Sequence, residues 1–253
     1  MNEPAAQLLP GLKPVLELIE LAPGRIQKIF LKNECRAAAK IRALALACGI
    51  PIVPADARQL DKLCAASPQN RISHQGVIAL LKHAGPQTLA DLLNQAAPLN
   101  LILALDQIQD PGNLGVLCRT AWALGCAGLL LPEHNSAPLG PAAMRSSAGS
   151  LAFLPTCVTA NLARSLDEAE EAGFAIYGAG HASHITPTSA FQFAWPLPAV
   201  LVLGNENKGL RPGVAKRCAV MLAIPMARTF DSLNVAQAGA ILMGLCAAAH
   251  AQA

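Results

Sequence analysis

The chain has 253 residues, 53% of them hydrophobic and 14% charged, with a formal net charge of +3. That length allows one large domain or two modest ones, and the apolar content supports a sizeable core and excludes a disordered chain. The small net charge does not by itself point to nucleic acid, but the charge is unevenly spread. Before Gln95, basic residues such as Lys28, Lys32, Arg36, Lys40, Arg58 and Arg71 outnumber acidic ones. A basic first part suits a polyanionic partner about as well as it suits a solvated surface. Eight cysteines are scattered along the chain without a C-x-x-C pair, several inside apolar runs. They read as reduced thiols of a cytoplasmic protein, with neither a zinc site nor a disulfide framework. Met1–Pro10 lacks the pattern of a signal peptide. The longest apolar run, near the C-terminus, is interrupted by Gln237 and falls short of the ~20 residues a membrane span needs, so no membrane association is expected.

In chain order, Gly11–Leu21 has helical spacing and stops at Pro23-Gly24; Ile26–Leu31 alternates like a strand; Cys35–Cys48 is helical with a basic face at Arg36, Lys40 and Arg42. Ile50–Val53 is a short strand, Ala57–Ala66 an amphipathic helix, Ser67–Gly76 a polar loop and Val77–Leu81 a strand. These make a compact α/β unit over 1–84, large enough to fold alone. A linker over 85–99 carries Pro86 and Pro98, with one helical turn at Leu89–Leu93. The second unit, 100–253, opens with the apolar run Leu101–Leu105, which reads as a central parallel strand. A helix from Leu114 to about Leu124 follows, with Asn113 as its N-cap. Strands are expected at Gly128–Leu131, Leu151–Pro155, Phe174–Tyr177, Leu197–Leu203 and Ala219–Ile224, and helices at Pro141–Ser147, Leu162–Ala172 and Val235–Ala249, the last capped by Asp231 or Ser232. Strands alternating with helices imply an α/β fold with a mostly parallel sheet.

Three strand-to-helix junctions of the second unit carry unusual polarity. The first runs from Asn113 to Arg119; an Arg in an otherwise apolar helix asks for an anionic partner, although a surface Arg snorkelling off the helix is the commoner case. The second is Gly204-Asn205-Glu206 with Gly209, where a carboxylate just after a strand either fixes an Arg or caps a helix. The third, Ile224–Ala236, crowds Thr229, Asp231, Ser232 and Asn234 between an apolar strand and an apolar helix, where open α/β sheets bind ligands. Gly178-Ala179-Gly180 shows G-x-G but lacks a third Gly and a helix behind it, so it is a weak dinucleotide fingerprint. His181 and His184 share a loop without Cys or carboxylate company, and no metal is expected.

Taken together, Asn113-Leu114-Gly115-Val116-Leu117-Cys118-Arg119-Thr120-Ala121, then Leu203-Gly204-Asn205-Glu206-Asn207-Lys208-Gly209-Leu210, then Ile224-Pro225-Met226 with Ser232-Leu233-Asn234-Val235, resemble the three motifs of the SpoU/TrmH branch of the SPOUT RNA methyltransferases. The first unit is similar to that family's substrate-binding domain. Arg71-Ile72-Ser73-His74-Gln75-Gly76 resembles a segment of the branch that 2′-O-methylates a guanosine of 23S rRNA. The resemblance covers nearly the whole chain. It implies a trefoil knot at the C-terminus, a homodimer with its active site at the interface, RNA as partner and S-adenosylmethionine as methyl donor. It also implies cofactor contacts around Gly180, Leu203, Gly204, Ile224, Ser232, Leu233 and Asn234, and catalytic roles for Asn113, Arg119, Glu206, Ser232 and Asn234. The family takes the Arg of the first motif as proton acceptor. A guanidinium hardly deprotonates in proteins, so anchoring a phosphate and stabilising a developing alkoxide is physically easier for Arg119, with Glu206 orienting it or acting as base. Arg228 stands where relatives often have Gly, and Ala236 where they often have Ser. Competing readings are a tRNA 2′-O-methyltransferase of the same family, a non-catalytic RNA-binding paralogue and, last, a nucleotide-dependent oxidoreductase. That last reading requires an acidic residue near Val200, where the sequence has an apolar run.

Overall fold

A computed structural model describes residues 8–64, 73–82, 87–180, 186–205, 208–228 and 232–251. The chain divides into two compact units, Met1–Gly85 with Pro138–Phe153, and Pro86–Ala137 with Leu154–Ala253. The first contains β1 (Leu8–Pro10), α1 (Leu12–Leu21), β2 (Ile26–Leu31), α2 (Ala38–Ala47), β3 (Ile52–Pro54), α3 (Ala57–Cys64) and β4 (Val77–Leu81). Its sheet has the order β1-β4-β2-β3, with β4 antiparallel to both neighbours and β2 parallel to β3. The inner strand β4 is the most apolar, with Val77, Ile78 and Ala79 fully buried. α1 turns Val15, Leu18 and Ile19 inward at helical spacing. Its N-cap, Gly11, has no side chain to offer. The Gln75 side-chain oxygen instead accepts from the Leu12 N–H at 3.0 Å, a cap supplied from 63 residues away.

Pro141–Ser146 forms helix α6, whose Ala142 packs on Leu60, Cys64 and Ile78 of the same unit. The strand expected at Leu151–Pro155 is absent. Ser150–Ala152 is a 3-10 turn instead, following Gly149 at φ +89° and closed by the Ser150 hydroxyl donating to the Ser147 carbonyl at 2.9 Å. The next strand begins at Thr156. The apolar run invites a strand, but local serine bonding folds it as a turn.

The second unit holds α4 (Leu89–Leu93), β5 (Leu99–Asp106), α5 (Pro111–Ala123), β6 (Cys126–Pro132), β7 (Thr156–Thr159), α7 (Leu162–Glu171), β8 (Ala175–Ala179), β9 (Thr188–Ser189), β10 (Ala199–Gly204), α8 (Pro212–Ala215), β11 (Val220–Ala223) and α9 (Val235–His250). The seven strands follow the order β7-β6-β5-β10-β8-β11-β9, and every pair is parallel. A wholly parallel sheet needs both faces covered, and the strand sequences show it. Ile102, Ala104, Val200, Val202, Ile176 and Met221 share a core with Leu92 of α4, Leu166 of α7 and Val214 of α8. Leu203 points the other way, towards α9 and α5. A Cβ on Gly239 of α9 would lie 2.4 Å from Leu117 of α5 and 2.7 Å from Leu203, so glycine is what lets the last helix seat between them. Each fully buried aliphatic of β10 stabilises the sheet by about 1.5–3 kcal/mol relative to exposure.

Helix starts differ from the sequence reading in two places. Asp110, not Asn113, caps α5: its carboxylate accepts from the Gly112 N–H at 2.9 Å and the Asn113 N–H at 3.3 Å, with Pro111 at the first helical position. Asn234, not Ser232, caps α9, its side-chain oxygen accepting from the Ala236 N–H at 2.9 Å; Asp231 lies outside the described residues. At the other end of α9, His250 Nε2 lies 2.8 Å from the carbonyl of the fully buried Trp195, which stacks edge-on with Tyr177 and Phe193. The short elements β1, β9 and α8 have no periodicity for a sequence to show. Among the described residues no helix is long and apolar enough to cross a membrane.

Candidate functional site

Because β10, β8 and β11 are parallel neighbours, their C-terminal ends meet on one edge of the sheet. A cavity of about 280 Å³ opens there, at the edge where open α/β sheets bind ligands. Ala179 and Gly180 close β8, Leu203–Asn205 close β10, Leu222–Ile224 close β11, and Ser232, Leu233 and one face of α9 (Val235, Ala238, Leu242) add to the wall. Of the predicted cofactor contacts, Gly180, Leu203, Gly204, Ile224, Ser232 and Leu233 line this cavity. Asn234 is not among the lining residues. It caps α9 and donates through its side-chain amide to the Asn113 side-chain oxygen at 3.1 Å, so residues 121 positions apart in the first and third polar junctions are joined directly.

The second junction is folded tightly. A Cβ on Gly204 would stand 2.4 Å from the Gly209 carbonyl carbon, and Asn205 and Gly209 exchange backbone bonds of 3.1 and 2.9 Å. The Asn205 amide donates to the Gln107 carbonyl at 3.0 Å. The loop is also held by a buried ion pair that no local motif announces. Asp106, fully buried and in register with Gly204, accepts from the Arg211 backbone N–H at 2.8 Å and from Arg211 Nε at 2.7 Å. The pair ties the Arg211 end of the loop to β5, the strand that pairs with β10. Its signal was present in the sequence: a carboxylate directly ending an otherwise apolar strand must find a cation or several N–H donors. Glu206 itself lies outside the described residues, as do Arg71, His181 and His184.

Arg119 is not brought to the cavity of its own chain. It is exposed on α5, on the outward side shared with Val116 (44% exposed) and Trp122 (43% exposed), and has no partner among the described residues. Arg228 is exposed beyond β11, whereas Ala236 is buried in the first turn of α9. Gly178 is explained by packing: a Cβ there would lie 2.5 Å from the Met221 sulfur, so its glycine admits a core side chain rather than a dinucleotide. Thiol chemistry has no foothold in the second unit's core. Burial pushes Cys118, Cys126, Cys218 and Cys246 up to about 12, and protonated buried thiols are poor nucleophiles. Among the described residues no His, Cys, Asp and Glu cluster could hold a metal ion.

The chain matches the family model for the SpoU rRNA methylase family over residues 100–244 and that for RNA 2′-O ribose methyltransferase substrate binding over residues 8–87. It is 32% identical over 243 residues to the 23S rRNA (guanosine-2′-O-)-methyltransferase RlmB of Pseudomonas aeruginosa, covering 93% of this chain and 92% of that one. To the Escherichia coli K12 protein of the same name it is 31% identical, covering 95% and 96%. Among solved structures, the SpoU methyltransferase AviRb from Streptomyces viridochromogenes, in complex with AdoMet, superposes with a TM-score of 0.76 at 23% identity over 97% of this chain and 91% of that one. A putative RNA methyltransferase of the TrmH family from Porphyromonas gingivalis superposes at 0.72 and 28% identity, covering 95% and 89%. With a family model matching more than half of its length and relatives matching nearly all of it, the chain belongs to the SpoU rRNA methylase family.

Proposed function

We propose that this protein transfers a methyl group from S-adenosylmethionine to the 2′-hydroxyl of a guanosine in 23S rRNA, and that it does so as a cytoplasmic homodimer. The observation that carries the reading is the match across 93% of the chain to a relative named for that reaction. The cavity supports it. Leu203, Leu222 and Leu242 offer an apolar bed for a nucleoside base and a thioether chain, while the loops after three strands offer backbone groups and the Ser232 hydroxyl. S-adenosylmethionine, when bound, supplies an electrophilic methyl group on a sulfonium.

The chain's own residues have three tasks, since a ribose hydroxyl is a poor nucleophile and must approach in line at roughly 3–3.5 Å. Asn113 and Ser232 orient the hydroxyl, with Asn113 held by its bond to Asn234. Arg119 anchors the RNA phosphate and stabilises the alkoxide as it develops, and Glu206 orients Arg119 or takes the proton. A guanidinium on the outward face of α5 serves a cavity only when another copy covers that face. Val116 and Trp122 on α5 and Ile241 on α9, all exposed apolar side chains, make that face suited to a second copy. The resemblance's trefoil knot fits a sheet in which the late strands β10 and β11 insert between earlier ones.

Transfer of tritiated methyl from S-adenosylmethionine to 23S rRNA fragments tests the reading. Wild type is expected to label a single guanosine, and Arg119→Ala to lose at least about 100-fold in rate, the scale of removing one transition-state donor. Methylation undiminished in the variant overturns the role given to Arg119, and no methylation of any RNA overturns the function.

A further inference from the structure

The first unit has a cavity of its own, about 470 Å³, between the end of β2, the start of α3 and the loop before β4. Its working groups are Lys32, Arg36, Asp61, Ser73, His74 and Gln75. That volume lies in the range of small-ligand pockets. The walls are unusually fixed. Gln75 sits at φ +52°, left-handed for a residue with a side chain, and is held there by two anchors: its side chain caps α1 and its carbonyl accepts from Cys35 Sγ at 3.5 Å. Gly76, at φ +84°, brings its backbone so near Cys35 that a Cβ would stand 3.2 Å from the Cys35 Cβ. A strained, over-determined loop lining a cavity is a mark of a working site.

The chemistry inside is directional. His74 Nδ1 accepts the Gly76 backbone N–H at 3.0 Å, so that nitrogen carries no proton in this arrangement. The proton sits on Nε2, which faces Asp61 Oδ1 at 3.3 Å. Asp61 is thereby aimed, and its second oxygen accepts no bond among the described residues. Across the cavity, Arg36 has no partner among the described residues, and the Lys32 ammonium is tied to Glu34 at 2.6 Å. The site therefore offers a guanidinium that no described residue engages, for a phosphate, and an oriented carboxylate for a pair of N–H donors. Among RNA bases only guanine presents two adjacent donors, its ring N–H and its exocyclic amine, on one edge, and single-stranded RNA exposes that edge for reading.

We propose that this cavity is a subsite for one unpaired guanine nucleotide of the RNA, with Arg36 on its phosphate and Asp61, positioned by His74, on its base. The inference rests on the reading of the protein as an RNA-modifying enzyme and adds which nucleotide the first unit selects. It is tested by fluorescence anisotropy with labelled uridine hexamers that carry one central guanosine, adenosine or cytidine, on the full-length protein. The guanosine hexamer is expected to bind at least tenfold tighter than the others. Asp61→Asn should abolish that preference without weakening the all-uridine hexamer. Arg36→Ala should weaken every hexamer alike and lower the salt dependence by about one phosphate contact. Equal affinity of wild type for all hexamers overturns the proposal, as does a preference that survives Asp61→Asn. Calorimetry with S-adenosylmethionine on the same variants should match wild type, and a change there overturns the separation of this subsite from the methyl donor. Because the hexamer readout needs no turnover, a wild type that methylates nothing but prefers guanosine refutes the proposed reaction and leaves the subsite standing.

Discussion

The two cavities are built from opposite materials. In the second unit the walls are strand ends and loop backbone over apolar side chains, and the buried carboxylate nearby, Asp106, is spent on holding a loop through Arg211. In the first unit the walls are charged and polar side chains, and the backbone's part is to hold them at fixed angles. A backbone-walled cavity can only be as accurate as the sheet beneath it, which suits a small ligand of constant shape. A side-chain-walled cavity can be retuned one residue at a time, which suits reading a polymer. The lesson is that one chain separates the invariant partner from the selected one by the kind of atom it presents to each.

The largest effect that would test this contrast is at the buried pair under the second cavity. Arg211→Ala leaves the Asp106 carboxylate buried with only a backbone donor. It is expected to cost up to about 3–5 kcal/mol in urea unfolding, whereas Asp106→Asn, which strands only a partly exposed Arg, should cost markedly less. Equal losses would break the view that burial of the carboxylate dominates. Next comes Gly204→Ala. Its new Cβ would meet loop backbone, which cannot swing aside, so about 1–3 kcal/mol of overpacking should appear as weaker S-adenosylmethionine binding by calorimetry, with hexamer binding by the first unit unchanged. Smallest is Gln75→Ala, which removes the distant cap of α1. About 1 kcal/mol of stability should go, together with part of the guanosine preference, while S-adenosylmethionine affinity stays as it was.

Much of this was legible in the sequence where burial dictates pattern. β2 and β4 fall on their predicted residues, the strand expected at Leu197–Leu203 forms over Ala199–Gly204, and the central parallel strand expected at Leu101–Leu105 forms within Leu99–Asp106. Less legible were features decided by one hydrogen bond. Asn113 and Ser232 are sound capping residues that lost to Asp110 and Asn234, each of which satisfies two N–H groups at once, Asp110 with both carboxylate oxygens and Asn234 with one amide oxygen. Arg36, assigned to a helical face, precedes α2 and lines a cavity instead. The Asp106–Arg211 pair spans 105 residues, and the Asn113–Asn234 bond 121. No local pattern carries such distances; only the strand order does.

That strand order also dictates a sequence of events. Among the described residues β10 is the only strand joining β5-β6-β7 on one side to β8-β11-β9 on the other. Until Ala199–Gly204 has left the ribosome, the two halves of the sheet have no hydrogen bonds to each other, and contacts of such long sequence separation form slowly. The same six residues supply Leu203 and Gly204 to the cavity and Leu203 to the seat of α9. Closing the sheet and creating the cavity are one step in folding, so a nascent chain that stops short of β10 has neither.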